Sequence, residues 1–308
     1  MQTNRTSGTQ ADGEHPEPRD AMGVLREARR FIYAHPAPWI VLALSLLATA
    51  AGWFMASNNA RINARRMFDE EAYAVATALA ERMLVYEDIL HGAVGLFASS
   101  ISVERDEWRA YIESVSIDRR FPGIDALCFM EYVRKGELSE FLSATRADGA
   151  PDFDVRTSEE AEDYLIVKFI EPASRHAALM GEDAGLDPKR RAIAEAARDT
   201  GEAAITESLP LSGTTDRGFL MVLPVYQNQH LRNTIAERRE GIHGWVYARF
   251  VTAQLVSSIL GDRSQKLVFH LYDDTLDASE PLMFESEPRL VNHTPMFMDE
   301  VPFPTAGR

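Results

Sequence analysis

Few side chains in this 308-residue sequence combine the type and the spacing that catalysis demands. Glu87 and Asp88 are adjacent carboxylates in a helical stretch, where neighbours i and i+1 point in different directions and cannot act as an acid–base pair. The eight histidines are scattered: His15 and His35 precede or enter an apolar run, His91 belongs to a helix surface or an interface, and none has metal-ligand spacing. Lys168 lies in an apolar strand, where burial would shift its pKa, although a strand lysine more commonly turns to solvent. The one cysteine, Cys128, sits in the run Leu127-Cys128-Phe129-Met130. An internal disulfide and a thiolate zinc site are therefore excluded, and plain packing is expected. No Gly-rich phosphate loop, HExxH pair, GxSxG elbow or kinase signature occurs. The residues read as non-enzymatic, with no metal and no cofactor.

Charge narrows the partners. The chain carries 32 Lys and Arg against 47 Asp and Glu, a formal net charge of −15. Phosphate backbones require concentrated Lys and Arg, so no nucleic-acid partner is expected. Long-range capture of anions is disfavoured as well, although a local basic patch would still suffice.

The elements that would position any site begin with a membrane segment. Residues 1–20 are polar with few large apolar side chains, which reads as a disordered tail, and Leu25-Arg26-Glu27-Ala28-Arg29-Arg30 is a short basic stretch. From Phe31 to Ala60 there is no Asp, Glu, Lys or Arg, and Pro38 to Ala56 is nearly all apolar. That approaches the roughly 20 residues a helix needs to cross a bilayer. Trp39 and Trp53 mark its two ends, where amphipathic rings favour the interface. A signal peptide would sit closer to the N-terminus, so an anchor is the better reading. Arg26, Arg29 and Arg30 on one side balance Arg61, Arg65 and Arg66 on the other, so charge alone leaves the orientation open.

Beyond the span, Ala72, Val75, Leu79, Met83, Tyr86, Leu90, Val94 and Phe97 recur at helical spacing. This stripe fits either a parallel dimer seam or a helix laid on its own domain. Ser102 is a candidate N-cap for a following helix. Strands are then expected at Ala126–Val133, Tyr164–Ile170, Ala203–Thr206, Phe219–Tyr226, Gly244–Phe250, Lys266–Tyr272 and Pro281–Glu285. Helices are expected at Glu137–Thr145, Pro188–Asp199 and Val251–Leu260, with Gly201 as a C-terminal stop. Strands outnumber helices and the connections are too short for repeated βαβ units, so the fold class is α+β.

Several stretches carry a family resemblance. Arg82-Met83-Leu84-Val85-Tyr86-Glu87-Asp88-Ile89-Leu90-His91-Gly92-Ala93-Val94-Gly95-Leu96-Phe97 resembles the long-helix signature of CHASE domains, as do Trp108-Arg109-Ala110-Tyr111 and Arg120-Phe121-Pro122-Gly123-Ile124. The densest match runs through Gly181-Glu182-Asp183, Pro188-Lys189-Arg190-Arg191, Ala197-Arg198-Asp199-Thr200-Gly201, Gly218-Phe219-Leu220-Met221, Pro224-Val225-Tyr226 and Gly244-Trp245-Val246-Tyr247. CHASE domains are extracytoplasmic sensor modules of bacterial and eukaryotic signalling proteins, including plant cytokinin receptors. The resemblance implies that a long stalk helix and two PAS-like α+β subdomains follow the transmembrane helix. It divides the chain into a tail (1–35), a span (36–57), a stalk (58–98), a sensor domain (99–290) and a linker (291–308) truncated before a second span. It also orients the chain, which is expected to be anchored in the bacterial inner membrane by its single N-terminal span with residues after 60 in the periplasm. A histidine kinase or cyclic-di-GMP enzyme usually follows in the family.

The implied function is a sensor, homodimeric through the long helix, that binds a small molecule and passes the signal across the membrane. The alternative is a periplasmic module that senses a protein partner. Carried over position by position, the resemblance implies ligand contacts at Asp183, Ile205, Thr206, Thr214 or Thr215, Phe219 and Met221. A carboxylate at Asp183 would accept hydrogen bonds from N–H donors, although an N-terminal cap for the helix near Pro188 would use the same residue type. Arg198 and Asp199 are expected to form a structural pair at a helix end.

Overall fold

The computed structural model describes residues 36–158, 161–211, 216–261, 268, 270–272, 282–285 and 296–302. By its contacts the chain divides into two units, Met1–Met67 and Phe68–Arg308. Within the first, the apolar side chains from Trp39 to Met55 are exposed along helix α1 (Ala37–Ser99), which is long and apolar enough to cross a membrane. Their exposure separates this segment from the core helix of a soluble protein, whose apolar stripe would be covered.

In the second unit, α1 turns one face inward. Val75, Ala76, Leu79, Met83, Tyr86, Ile89, Leu90, Ala93 and Phe97 are buried. Most of the expected stripe is thus consumed by the chain's own domain, and the helix lies on a sheet. Helix α2 (Arg105–Val115) begins at Glu104 rather than at Ser102. The Glu107 carboxylate accepts from the Glu104 backbone N–H at 3.0 Å, giving an acidic first turn that suits the helix dipole. Single-turn α3 (Ile117–Arg120) follows, then strand β1 (Ile124–Arg134), α4 (Leu138–Ala147), β2 (Asp163–Glu171) and single-turn α5 (Ala173–His176).

Helix α6 (Pro188–Thr200) starts with proline at its first position, where the missing N–H costs nothing. Its cap is Asp187, whose carboxylate accepts from Lys189 N at 2.9 Å. The remaining elements are β3 (Ala204–Ile205), β4 (Leu209–Pro210), β5 (Arg217–Tyr226), α7 (Ile235–Glu240), β6 (Ile242–Val251), α8 (Thr252–Leu260), β7 (His270–Tyr272) and β8 (Leu282–Glu285). At the end of α6 the expected Arg198–Asp199 pair is present at 2.9 Å, and Arg239 joins it.

The sheet runs β2-β1-β6-β5-β3, with β4 also on β5, and every pairing is antiparallel. A separate ribbon pairs β7 with β8. The class is α+β. Of the strands expected at Lys266–Tyr272 and Pro281–Glu285, residues 266, 267, 269 and 281 lie outside the described residues.

Alternation in the central strands separates two faces. Phe129, Phe219, Met221, Leu223, Val246, Ala248 and Phe250 pack with Tyr86, Leu90 and Phe97 of α1. Cys128, Leu220, Val222, Trp245 and Tyr247 pack instead with Ala194 and Ala197 of α6. Trp245 Nε1 donates to Ala194 O at 2.8 Å, so the largest side chain on that face leaves no buried donor unpaired.

At the tip of α1 the ring of Phe97 lies 4.2 Å from that of Phe129 and 5.9 Å from that of His243. Burial lowers the His243 pKa, Glu131 raises it and Lys168 lowers it further, so the neutral form is favoured in the folded state. The unfolded chain then binds more protons below the ordinary histidine value of about 6.5, and stability falls as pH drops through that value. A melting series from pH 8 to pH 5 should show the midpoint falling on the acid side, with the slope reduced in His243→Gln.

Candidate functional site

The face under α6 holds charged residues among apolar ones. Asp125 sits near the start of β1, between Ile124, which pairs with Phe250, and Ala126, which pairs with Arg249. The ladder changes register at this point, so Asp125 occupies a bulge that turns its side chain out of the regular alternation. Arg249 on β6 reaches it: Nε donates to Asp125 Oδ2 at 3.2 Å. His176, on α5, places Nε2 at 3.2 Å from Asp125 Oδ1. The three side chains are 14%, 4% and 10% exposed respectively, so this is a buried charge cluster.

Electrostatics keep the Asp125 carboxyl ionised. Burial alone would push the Asp125 carboxyl up, but His176 and the Arg249 guanidinium outweigh it and hold the group below its ordinary range. Beside the cluster, burial pushes the Cys128 thiol up to about 12, which leaves it a packed, unreactive group as its apolar neighbours imply. The phenol of Tyr247 is likewise driven well up, by burial first and then by Cys128.

The segment that carries His176 is short. It consists of α5 and the single turn Ala177–Leu179, with Leu179 and Met180 packed against the sheet. Arg156 Nη2 donates to Ala178 O at 2.6 Å, and Arg175 pairs with Asp118 at 2.5 Å, tying the segment down at two further points.

The residues expected from the resemblance divide between several settings. Asp183 is 2% exposed, and its carboxylate accepts from Thr157 Oγ1 at 2.5 Å, Leu165 N at 3.0 Å and Gly185 N at 2.9 Å. It caps the turn Ala184–Leu186 and closes the outer edge of β2; Asp187 is the cap of α6. Gly181 permits this clamp, because its φ is +77° and a Cβ there would lie 1.9 Å from Asp154 O.

Thr206 Oγ1 accepts from Leu220 N at 2.9 Å, extending the β3–β5 pairing. Ile205, Phe219 and Met221 belong to the core on the α1 side of the sheet, and Phe219 stacks on Phe250 at 4.8 Å. Thr214 and Thr215 lie outside the described residues. A shallow groove of about 400 Å³ runs along the Asp183 loop, where Arg191 donates to Asp163 Oδ1 at 2.6 Å.

Sequence reasoning missed Asp125, His176 and Arg249. The available signal was Arg249 itself, a lone charge in the otherwise apolar run Trp245–Val251. It also misplaced Lys168, whose ammonium meets Glu131 Oε2 at 2.8 Å instead of turning to solvent. Among the described residues, no group of three or more His, Cys, Asp and Glu side chains is arranged to hold a metal.

Residues 101–284, more than half of the chain, match the model of the CHASE domain. Among solved structures, a distant likeness is the ligand-binding domain of the Pseudomonas aeruginosa PAO1 amino acid chemoreceptor PctC in complex with GABA. It shares 12% identity over 71% of this chain and 74% of that one, with a TM-score of 0.42.

Removing one member of a buried pair leaves the other uncompensated, at a cost of about 3–5 kcal/mol. Arg249→Met should therefore destabilise the chain by about 3 kcal/mol. Adding Asp125→Asn should recover part of that loss, as read by denaturant titration of both single variants and the double.

Proposed function

Since this chain belongs to the CHASE domain family, an extracytoplasmic sensor family, we propose that it binds a small molecule on the α6-covered face of its sheet. The reading continues that α1 passes the resulting change across a bacterial inner membrane, with the domain in the periplasm and two copies pairing through the exposed side of the helix. The observation that carries the binding reading is the Asp125–His176–Arg249 cluster. A core built for stability alone has no use for a buried carboxylate–guanidinium pair with a histidine against it, because well-packed apolar residues of similar volume are generally as stabilising or more so. A buried carboxyl whose pKa is perturbed by specific charge partners is characteristic of functional sites. The cover of single turns, held by a few polar contacts, belongs to the low-stability end of a fold, where ligand-gated segments are found.

Of the residues suggested by the resemblance, Asp183 and Thr206 act by holding the loop and the short strand that frame this face. Ile205, Phe219 and Met221 back the sheet from its other side. Asp183→Ala removes an acceptor from three donors, two of them backbone N–H groups. It should cost about 2–4 kcal/mol in stability, since each stranded donor carries a desolvation penalty of about 1–3 kcal/mol.

Thermal-shift screening of the full chain in detergent against purines, amino acids and short peptides tests the binding reading. A ligand at a hundredfold excess over its Kd stabilises by about 2.7 kcal/mol, a readily measured shift. One chemical class should raise the melting point of the parent and leave Arg249→Met unmoved. If nothing in the panel moves the parent, or the shift survives in Arg249→Met, the site is not here.

A further inference from the structure

Two of the family-like motifs have no part in the sensing cluster, yet the structure joins them. Tyr86 of α1 is fully buried, and its hydroxyl donates to Pro122 O at 2.8 Å. Arg82, one turn earlier, donates from Nε to Tyr86 Oη at 3.1 Å and from Nη2 to Arg120 O at 3.2 Å. Its guanidinium also lies 5.4 Å from the centre of the Tyr86 ring and 5.9 Å from that of Phe121. Two side chains of the helix therefore grip the backbone of the turn Arg120–Gly123 at two carbonyls.

That turn has little freedom of its own. Gly123 has φ +104°, and a Cβ there would lie 2.8 Å from Leu255 Cα, so the turn is pressed against α8. Gly123 O accepts from Val251 N at 3.1 Å, which ties it to the end of β6. Asp125 is two residues beyond Gly123, and Arg249 two residues before Val251. The one irregularity between the turn and the regular β1–β6 ladder is the register shift at Asp125. A change in the Asp125–Arg249 pair thus acts where the strand can yield, and the rigid turn beside it is held by Tyr86 and Arg82.

We propose that the Arg82–Tyr86 grip on the turn Arg120–Gly123 couples the buried charge cluster to α1, with Tyr86 as the positioning residue. The inference rests on the reading of that cluster as the sensing site, and it assigns the transmitting contact. Pulling on the turn changes how the C-terminal turns of α1 sit on the sheet, because Tyr86 also packs on Phe250 at 5.0 Å, on the strand that carries Arg249.

Hydrogen exchange on the full chain in detergent tests this without any ligand. Asp125→Asn, which weakens the cluster's charge pairing, should speed amide exchange across residues 82–97 by roughly tenfold. In a Tyr86→Phe background the same substitution should change those amides by less than about twofold, although the variant still melts cooperatively. Should Tyr86→Phe fail to fold, Arg82→Gln serves in its place, since it releases the grip at Arg120 and leaves the buried ring intact. A contact that merely stabilises the fold would leave the Asp125→Asn effect equal in both backgrounds. That equality, or no effect of Asp125→Asn on α1, overturns the proposal. Because no ligand enters the measurement, failure of the screen above and failure here are distinguishable.

Discussion

The central strands β1, β5 and β6 are buried on both faces, and most of the structure answers that constraint. A strand covered on one side shows apolar residues at every second position, whereas these strands are apolar almost throughout, and each face needs its own cover. Helix α1 supplies one, with Tyr86, Leu90 and Phe97 seated on the side chains of β1, β5 and β6. Helix α6 supplies the other through Ala194 and Ala197, small residues that let its backbone approach closely enough for Trp245 to donate to it. Burying each large side chain contributes roughly 1.5–3 kcal/mol, so the α1 stripe is worth far more to the domain than any single polar contact.

The outer edge of β2 must be satisfied as well. An exposed edge strand offers unpaired N–H and C=O groups, and here the segment Gly181–Asp183 closes them. Val167 N donates to Glu182 O, Gly181 N donates to Val167 O, and Leu165 N is met by the Asp183 side chain. The carboxylate substitutes for a backbone acceptor where the segment bends away. Three donors on one buried anion hold Asp183 in place by geometry.

Set into this apolar frame, the Asp125–His176–Arg249 cluster is the feature that packing alone does not call for. Its charges compensate one another, but desolvation consumes most of what they gain. The bulge at Asp125 and the single-turn helix that carries His176 place the cluster at an irregularity of the sheet, beside short elements. On the other side of the same strands, α1 is bound by hydrogen bonds to the turn that leads into Asp125. One strand pair therefore presents the cluster on one face and the helix contact on the other, separated by the thickness of one sheet.

The order and type of the main elements were legible in the sequence. The apolar run around Pro38–Ala56 identified the candidate span, and the three- and four-residue spacing from Val75 to Phe97 identified the helix. Pro188 and Gly201 bracketed α6, and the apolar runs placed β1, β2, β5 and β6 within about two residues of their ends. These signals are local: periodicity, caps and breakers act within a few residues and need no partner. What α1 would face was not legible, because the same stripe satisfies a dimer seam or a sheet. Nor could the sequence assign the role of Asp183, where a ligand contact, a helix cap and an edge clamp all ask for one carboxylate. The cluster was hidden for the same reason: Asp125, His176 and Arg249 are far apart in sequence and become neighbours only through the β1–β6 pairing and the fold-back of α5. Sequence by itself determined which segments become helix or strand and which faces are apolar. Tertiary structure decided which buried charges meet, since pairing between distant residues is set by sheet register and not by any local pattern.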